Sequence, residues 1–159
     1  SEFSVRPIGK VHASRGEFFI ELEEKYAGAL PGLDGFGHVV VCWWADRLDT
    51  PENRSAVTVQ SPYRDAPAEL GIFATRSPMR PNPIALSVCM ITDINIPKGI
   101  IRLGWIDADN DTPVLDLKPY TPSAERVRNV KVPDWSRKWP SYLEDSALFD
   151  WTSVFNTAR

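Results

Sequence analysis

Residues 71–87 read GIFATRSPMRPNPIALS, and this stretch sets two arginines and an asparagine on a backbone that prolines make stiff. Pro78, Pro81 and Pro83 each fix their own φ and remove a backbone donor. The residues before them, Ser77, Arg80 and Asn82, are pushed away from helix toward extended geometry. Arg80 and Asn82 are therefore presented on a rigid ribbon. An arginine offers a planar fork of donors, and an asparagine offers both a donor and an acceptor. The pair suits a polar planar ligand such as a nucleobase, a carboxylate or a phosphate. The plainer reading is a proline-rich turn between two strands, although turns draw on Gly, Asn and Asp more than on Arg.

Outward from this ribbon, most periodic segments are short, β-branched and bounded by Pro or Gly, which predicts strands. They fall at residues 5–12, 17–22, 38–44, 56–60, 71–74, 85–94, 100–106 and 113–117, with Ile96-Pro97-Lys98-Gly99 as a hairpin turn. The expected fold is all-β in the main: a small, closed or nearly closed β-barrel of about eight strands, which removes exposed edges. The end of the chain differs. Trp135, Trp139, Phe149, Trp151 and Phe155 concentrate aromatics there, and Ala147, Leu148, Trp151, Val154 and Phe155 follow helical spacing. This predicts a short helical, aromatic-rich C-terminal tail that buries itself against the barrel or a second subunit. With no internal repeat and no long linker, residues 1–159 are expected to form a single domain, with 133–159 as a packing or dimerisation tail.

The chain carries 18 basic and 21 acidic residues, a net charge of −3 that gives no global electrostatic case for a nucleic-acid binder. The charge is uneven, however. Residues 71–92 contain no acid, and residues 126–138 set five basic side chains against Asp134 alone. No apolar run approaches a membrane span and the start lacks a signal-peptide pattern, so a cytoplasmic protein without membrane attachment is expected. Cys42 and Cys89 sit in apolar runs and read as reduced, small hydrophobes. His12 and His38 stand without close Cys or His partners, so no metal site is expected. A G-x-S-x-G elbow, a P-loop and a dinucleotide-type glycine loop are all absent. What remains is a site of arginine, asparagine, acidic and aromatic residues, which suits a charged organic cofactor.

The 71–87 segment resembles the signature of the TsaA-like family, also called TrmO-like. Pro7-Ile8-Gly9, Gly35-Phe36-Gly37-His38 and the run Thr112-Pro113-Val114-Leu115-Asp116-Leu117-Lys118-Pro119-Tyr120 follow the family's order and rough spacing. Together the four motifs cover most of the first 120 residues. Members of the family include the S-adenosylmethionine-dependent methyltransferase of N6-threonylcarbamoyladenosine in tRNA. The resemblance thus implies a β-barrel without the Rossmann sheet, S-adenosyl-L-methionine as cofactor, tRNA as partner with no DNA role, and a homodimer. It places cofactor contacts on Asp46 and Arg47, on Arg76 and Leu86, and on Asp107, Ala108, Asp109 and Asn110. Asp107 or Asp109 suits the ribose hydroxyls, Arg76 the cofactor carboxylate and Leu86 the adenine.

Methyl transfer from a sulfonium gains mostly from alignment and a dry site. A base can assist, and Asp107, Lys118 and Tyr120 are the catalytic candidates; Arg80 and Asn82 are the candidates for holding substrate. The chain departs from the family pattern in several places. Ala85 stands where the signature has glycine, and Asn110-Asp111-Thr112-Pro113 replaces Asp-Gly-Thr-Pro. The 12–36 stretch is short and lacks the arginine-containing cofactor loop of longer members, for which Ser14 and Arg15 are the candidate substitutes. The separate C-terminal domain of longer members gives way to the tryptophan-rich tail. Two other readings stay open at this point: methylation of a small metabolite, and a non-catalytic module that binds the cofactor or RNA.

Overall fold

The structure is a computed structural model and describes residues 1–156. Its clearest element is β3 (His38–Trp44), the run HVVVCWW. The β-branched side chains favour extended backbone, and alternation sends Val39 and Val41 fully inward while Val40 and Cys42 face out. The same logic builds β1 (Gly9–Ser14), β2 (Glu17–Leu22), β6 (Ile84–Asn95), β7 (Ile100–Leu103) and β8 (Pro113–Pro119). These six strands close into a barrel in the order β1-β2-β7-β6-β3-β8, and every pairing is antiparallel. Its interior is filled by Val11, Ile20, Val39, Val41, Cys89, Ile101, Leu103 and Val114. That is the packing expected of a barrel too narrow to hold a ligand. Each such aliphatic contributes about 1.5–3 kcal/mol by leaving water.

The barrel closes with six strands instead of about eight. The remaining two, β4 (Thr58–Gln60) and β5 (Glu69–Gly71), pair only with each other. The strand expected over 71–74 is a 3-10 turn, Ile72–Ala74, preceded by β5. The Thr75 hydroxyl donates to the Ile72 carbonyl at 2.9 Å and closes the turn where a strand would need a ladder. β1 starts at Gly9 instead of residue 5, because Pro7 has no N–H to offer a ladder. β7 stops at Leu103, short of 106. Two short helices escaped the strand pattern. One is α1 (Pro51–Arg54), whose first turn is capped by Thr50 accepting from Asn53 N–H at 3.1 Å; the other is α2 (Pro122–Glu125).

The chain divides into two compact units. The first holds the barrel and comprises Ser1–Ser55 with Pro78–Arg126; the second comprises Ala56–Ser77 with Val127 onward. In the second unit the aromatic tail forms short 3-10 helices, Asp134–Ser136, Leu143–Leu148 and Trp151–Ser153, in keeping with the short helical tail expected. Phe149 interrupts the helical spacing with extended backbone, ψ 137°. Long-range aromatic packing holds these short helices together. Tyr63 stacks on Trp135 at 5.1 Å, meets Trp139 edge-on at 4.9 Å and touches Phe155 at 5.5 Å. Trp139, Phe149 and Phe155 in turn surround Trp151. Each such pair is worth about 0.5–1.5 kcal/mol beyond its buried area. No described helix is long and apolar enough to cross a membrane.

Candidate functional site

Antiparallel closure gives the barrel one rim at which β1, β3 and β7 end and β2, β6 and β8 begin. Four connections meet there: the β1–β2 hairpin, the turn after β3, the proline ribbon before β6, and the β7–β8 loop. The hairpin turns on Arg15 and Gly16, with φ of 53° and 76°, a type I′ pair that matches strand twist. The β7–β8 loop is pinned by Ile106, Ala108 and Thr112, each buried, so Asp107 and Asp109 between them project outward. Asp111 holds the left-handed φ of 67° where the family pattern has glycine, a conformation that aspartate tolerates better than most residues.

Arg47, on the turn after β3, reaches across to this loop. Its guanidinium lies 3.3 Å from Asp109 Oδ2 and donates to the Asn110 carbonyl at 3.1 Å. Asn110 Oδ1 accepts from Ala13 N–H at 3.0 Å, which ties the loop to β1. Both members of the Arg47–Asp109 pair are mostly exposed, so the pair adds little stability, and its effect is to orient the loop. Asp46 opens the same turn and is exposed. Asp107 is held differently: its Oδ1 accepts from the Ser87 hydroxyl at 2.7 Å, and Ser87 Oγ accepts from the Trp43 indole at 2.9 Å. Ser87 and Trp43 were not singled out in the sequence, where a serine and a tryptophan in strands carry no signal of their own.

The proline ribbon is anchored on the barrel side. Arg54 of α1 donates to the Pro81 carbonyl at 3.3 Å while binding Asp49 through Nε at 2.5 Å and Nη2 at 3.1 Å. The Arg54 hydrogen bond, helped by that of the Trp44 indole, holds the Asp49 carboxyl below its usual range. Ala45 N–H donates to the Pro83 carbonyl at 2.9 Å. Arg80 is thereby half-buried and Asn82 exposed next to the start of β6. A cavity of about 340 Å³ opens at the same rim, lined by His12, Ser14, Arg15, Glu17, Phe19 and Asn110. Ser14 and Arg15 therefore stand beside the loop that carries Asp109 and Asn110.

The rim gathers Asp46, Arg47, Asp107, Ala108, Asp109 and Asn110, with Arg80 and Asn82 leading into β6. Leu86, Lys118 and Tyr120 are placed differently on the barrel. Leu86 pairs with Cys42 and faces the barrel's outer side, opposite to Ser87, and is 56% exposed. Lys118 and Tyr120 lie down β8 from the rim, about 13 and 20 Å beyond Val114 at the ordinary strand rise. Lys118 is paired with Asp116 at 3.0 Å, and that hydrogen bond raises its pKa, keeping it an ammonium. Tyr120 sits edge-on to His38 with ring centres 6.1 Å apart. Arg76 belongs to the second unit, exposed just after the Ile72–Ala74 turn. As a donor set, the rim's carboxylates, guanidinium and backbone carbonyls fit a cationic, hydroxyl-bearing ligand.

Residues 2–126 match the family model of the tRNA-methyltransferase O N-terminal domain. The chain is 36% identical over 124 residues to the tRNA (adenine(37)-N6)-methyltransferase of Escherichia coli, a match covering 77% of this chain and 52% of that protein. It is 31% identical over 112 residues to an S-adenosyl-L-methionine-binding protein of Archaeoglobus fulgidus, covering 70% and 75% respectively. A crystal structure of TrmO from Pseudomonas aeruginosa superposes with a TM-score of 0.62 at 28% identity, covering 82% of this chain and 62% of that one. The chain thus spans about half the length of the E. coli relative. The extent of the match, the closed antiparallel barrel and the four ordered motifs agree, and the chain belongs to the tRNA-methyltransferase O N-terminal domain family.

Proposed function

We propose that this chain is an S-adenosylmethionine-dependent N-methyltransferase of threonylcarbamoyl-modified adenosine in tRNA, working in the cytoplasm as a homodimer. The observation that carries the reading is the rim of the barrel, where Ser87 and Arg47 hold two outward carboxylates, Asp107 and Asp109 respectively, on the same rim as the Arg80–Asn82 ribbon. The names of the E. coli and A. fulgidus relatives support the reaction and the cofactor. When bound, the cofactor supplies an activated methyl group on a sulfonium. The residues do the remaining work. Asp107, an acceptor, suits the ribose diol. Asp109, already paired with Arg47, orients the loop that carries Asp107. Arg80 has the planar fork to grip the carboxylate that threonylcarbamoylation adds, and Asn82 can read a base edge. Among the candidate bases, Lys118 is held charged by Asp116, which disfavours it.

Labelled cofactor tests the reaction. The chain should label tRNA carrying threonylcarbamoyladenosine and leave the unmodified tRNA blank, and Arg80→Lys should lose most of that activity because a point charge does not replace a fork. Absence of cofactor binding in a calorimeter would defeat the whole reading. Binding without label on either tRNA would defeat the tRNA assignment only. The net charge of −3 favours a small metabolite as the substrate in that event. The homodimer is supported by the barrel's outer face, where Ile84, Leu86 and Met90 alternate along β6 and are 44%, 56% and 51% exposed.

A further inference from the structure

Ser87 lies half-buried on β6, between Trp43 behind it and Asp107 at the surface. Its two hydrogen bonds have a fixed direction. An indole N–H can only donate, so the 2.9 Å contact from Trp43 makes Ser87 Oγ an acceptor. The hydroxyl's single proton then goes to Asp107 Oδ1 at 2.7 Å. Asp107 is thus the terminal acceptor of a one-way chain, and the distance is that of a hydroxyl bound to a carboxylate. Its backbone is anchored on either side by the buried Ile106 and Ala108, 2% and 5% exposed. The side-chain torsions are the freedom left, and Ser87 removes it.

We infer that Ser87, oriented by Trp43, is a positioning residue that holds the Asp107 carboxylate ready to accept the vicinal hydroxyls of the cofactor's ribose. This rests on the rim being the cofactor site. An ionised carboxylate with one oxygen held from behind presents its second oxygen and its remaining lone pairs outward, which matches two adjacent O–H donors. Asp109 is less suited to that task, since Arg47 already takes one of its oxygens.

The test is calorimetric titration of the full chain and its variants with S-adenosylhomocysteine, which has the ribose and lacks the transferable methyl. Ser87→Ala is expected to weaken binding roughly tenfold, the effect of one lost hydrogen bond to a charged group. Ser87→Thr, which restores the hydroxyl, should stay within about threefold of the parent, and Trp43→Phe should fall between the two. In an Asp107→Ala background, Ser87→Ala should cost nothing further, because Ser87 acts through Asp107. Unchanged affinity in Ser87→Ala, or additive losses in the double variant, overturns the inference while leaving the cofactor reading intact. A parent chain that does not bind S-adenosylhomocysteine overturns both. Should Ser87→Ala fail to fold, the Thr and Phe variants carry the same comparison, and equal losses in both would overturn the inference.

Discussion

At the scale of single residues, the family motifs acquire physical reasons. A methyl group on Gly9 would sit 2.3 Å from the Glu21 carbonyl oxygen and 2.9 Å from Leu22 Cα, both backbone atoms of the neighbouring strand. Nothing there can swing aside, so β1 would have to lift off β2. Gly9→Ala is expected to destabilise the chain by at least about 1–3 kcal/mol. A thermal midpoint equal to the parent's would contradict this. Cys89 makes a second case. Burial in the barrel pushes its thiol from an ordinary 9.0 up to about 12, so the neutral form is the one the fold accommodates. With the folded pKa above the unfolded one, its contribution is fully present below pH 9 and is lost as pH rises from 9 toward 12. Denaturant titrations across that range should fall more steeply for the parent than for Cys89→Ala, by up to about 1.4 kcal/mol per pH unit. Parallel curves would show that the thiol does not titrate with unfolding.

At the scale of elements, what the sequence disclosed followed locality. β2 and β3 are read to the residue from alternation and β-branching alone. β1, β6, β7 and β8 differ from their expected bounds mainly at the ends, where proline and glycine decide. The tail's helical spacing is legible as short helices, whereas its packing is set by Tyr63, some seventy positions upstream, around which the tryptophans collect. The rim followed the same rule. Asp107 and Arg47 were reachable through resemblance, whereas Ser87 and Arg54 matter only through partners 20 and 27 residues away. Arg54 illustrates what such a contact does. It grips Asp49 with two nitrogens, lies over the Trp44 ring at 5.3 Å and turns a third nitrogen to Pro81, bracing the ribbon that carries Arg80 and Asn82. Arg54→Lys keeps the charge and loses the fork. Hydrogen exchange at residues 79–84 should accelerate while the global midpoint moves little, because the pair is partly exposed. A large loss of global stability with unchanged exchange would place the clamp's role elsewhere. Acid acts on the same clamp: Asp49 is held below its ordinary value, so its contribution is present above pH 4 or so and disappears as pH falls further.

At the scale of the whole molecule the question is which surface makes the proposed homodimer. The tail was the surface expected from the sequence, yet its tryptophans cover one another and Tyr63, and what it leaves outside is Tyr142, Leu143 and Leu148, at 62%, 50% and 92% exposure. The barrel offers a more ordered alternative. Ile84, Leu86, Val88 and Met90 occupy alternate positions of one twelve-residue strand, and Val40 and Cys42 of β3 lie directly beside Val88 and Leu86. A regular apolar sheet face of this kind is self-complementary about a two-fold axis in a way that scattered loop residues are not. Its row of side chains is also free of acids until Asp116 and Lys118 on β8, which pair with each other. We therefore expect Met90→Glu to convert the dimer to monomer in light scattering at micromolar concentration, since burying two unpaired carboxylates at a two-fold interface is strongly unfavourable. Leu148→Asp, a change on the most exposed apolar residue of the tail, should leave the dimer intact. The opposite pattern would return the interface to the tail, and a parent chain that scatters as a monomer would remove the homodimer from the proposal.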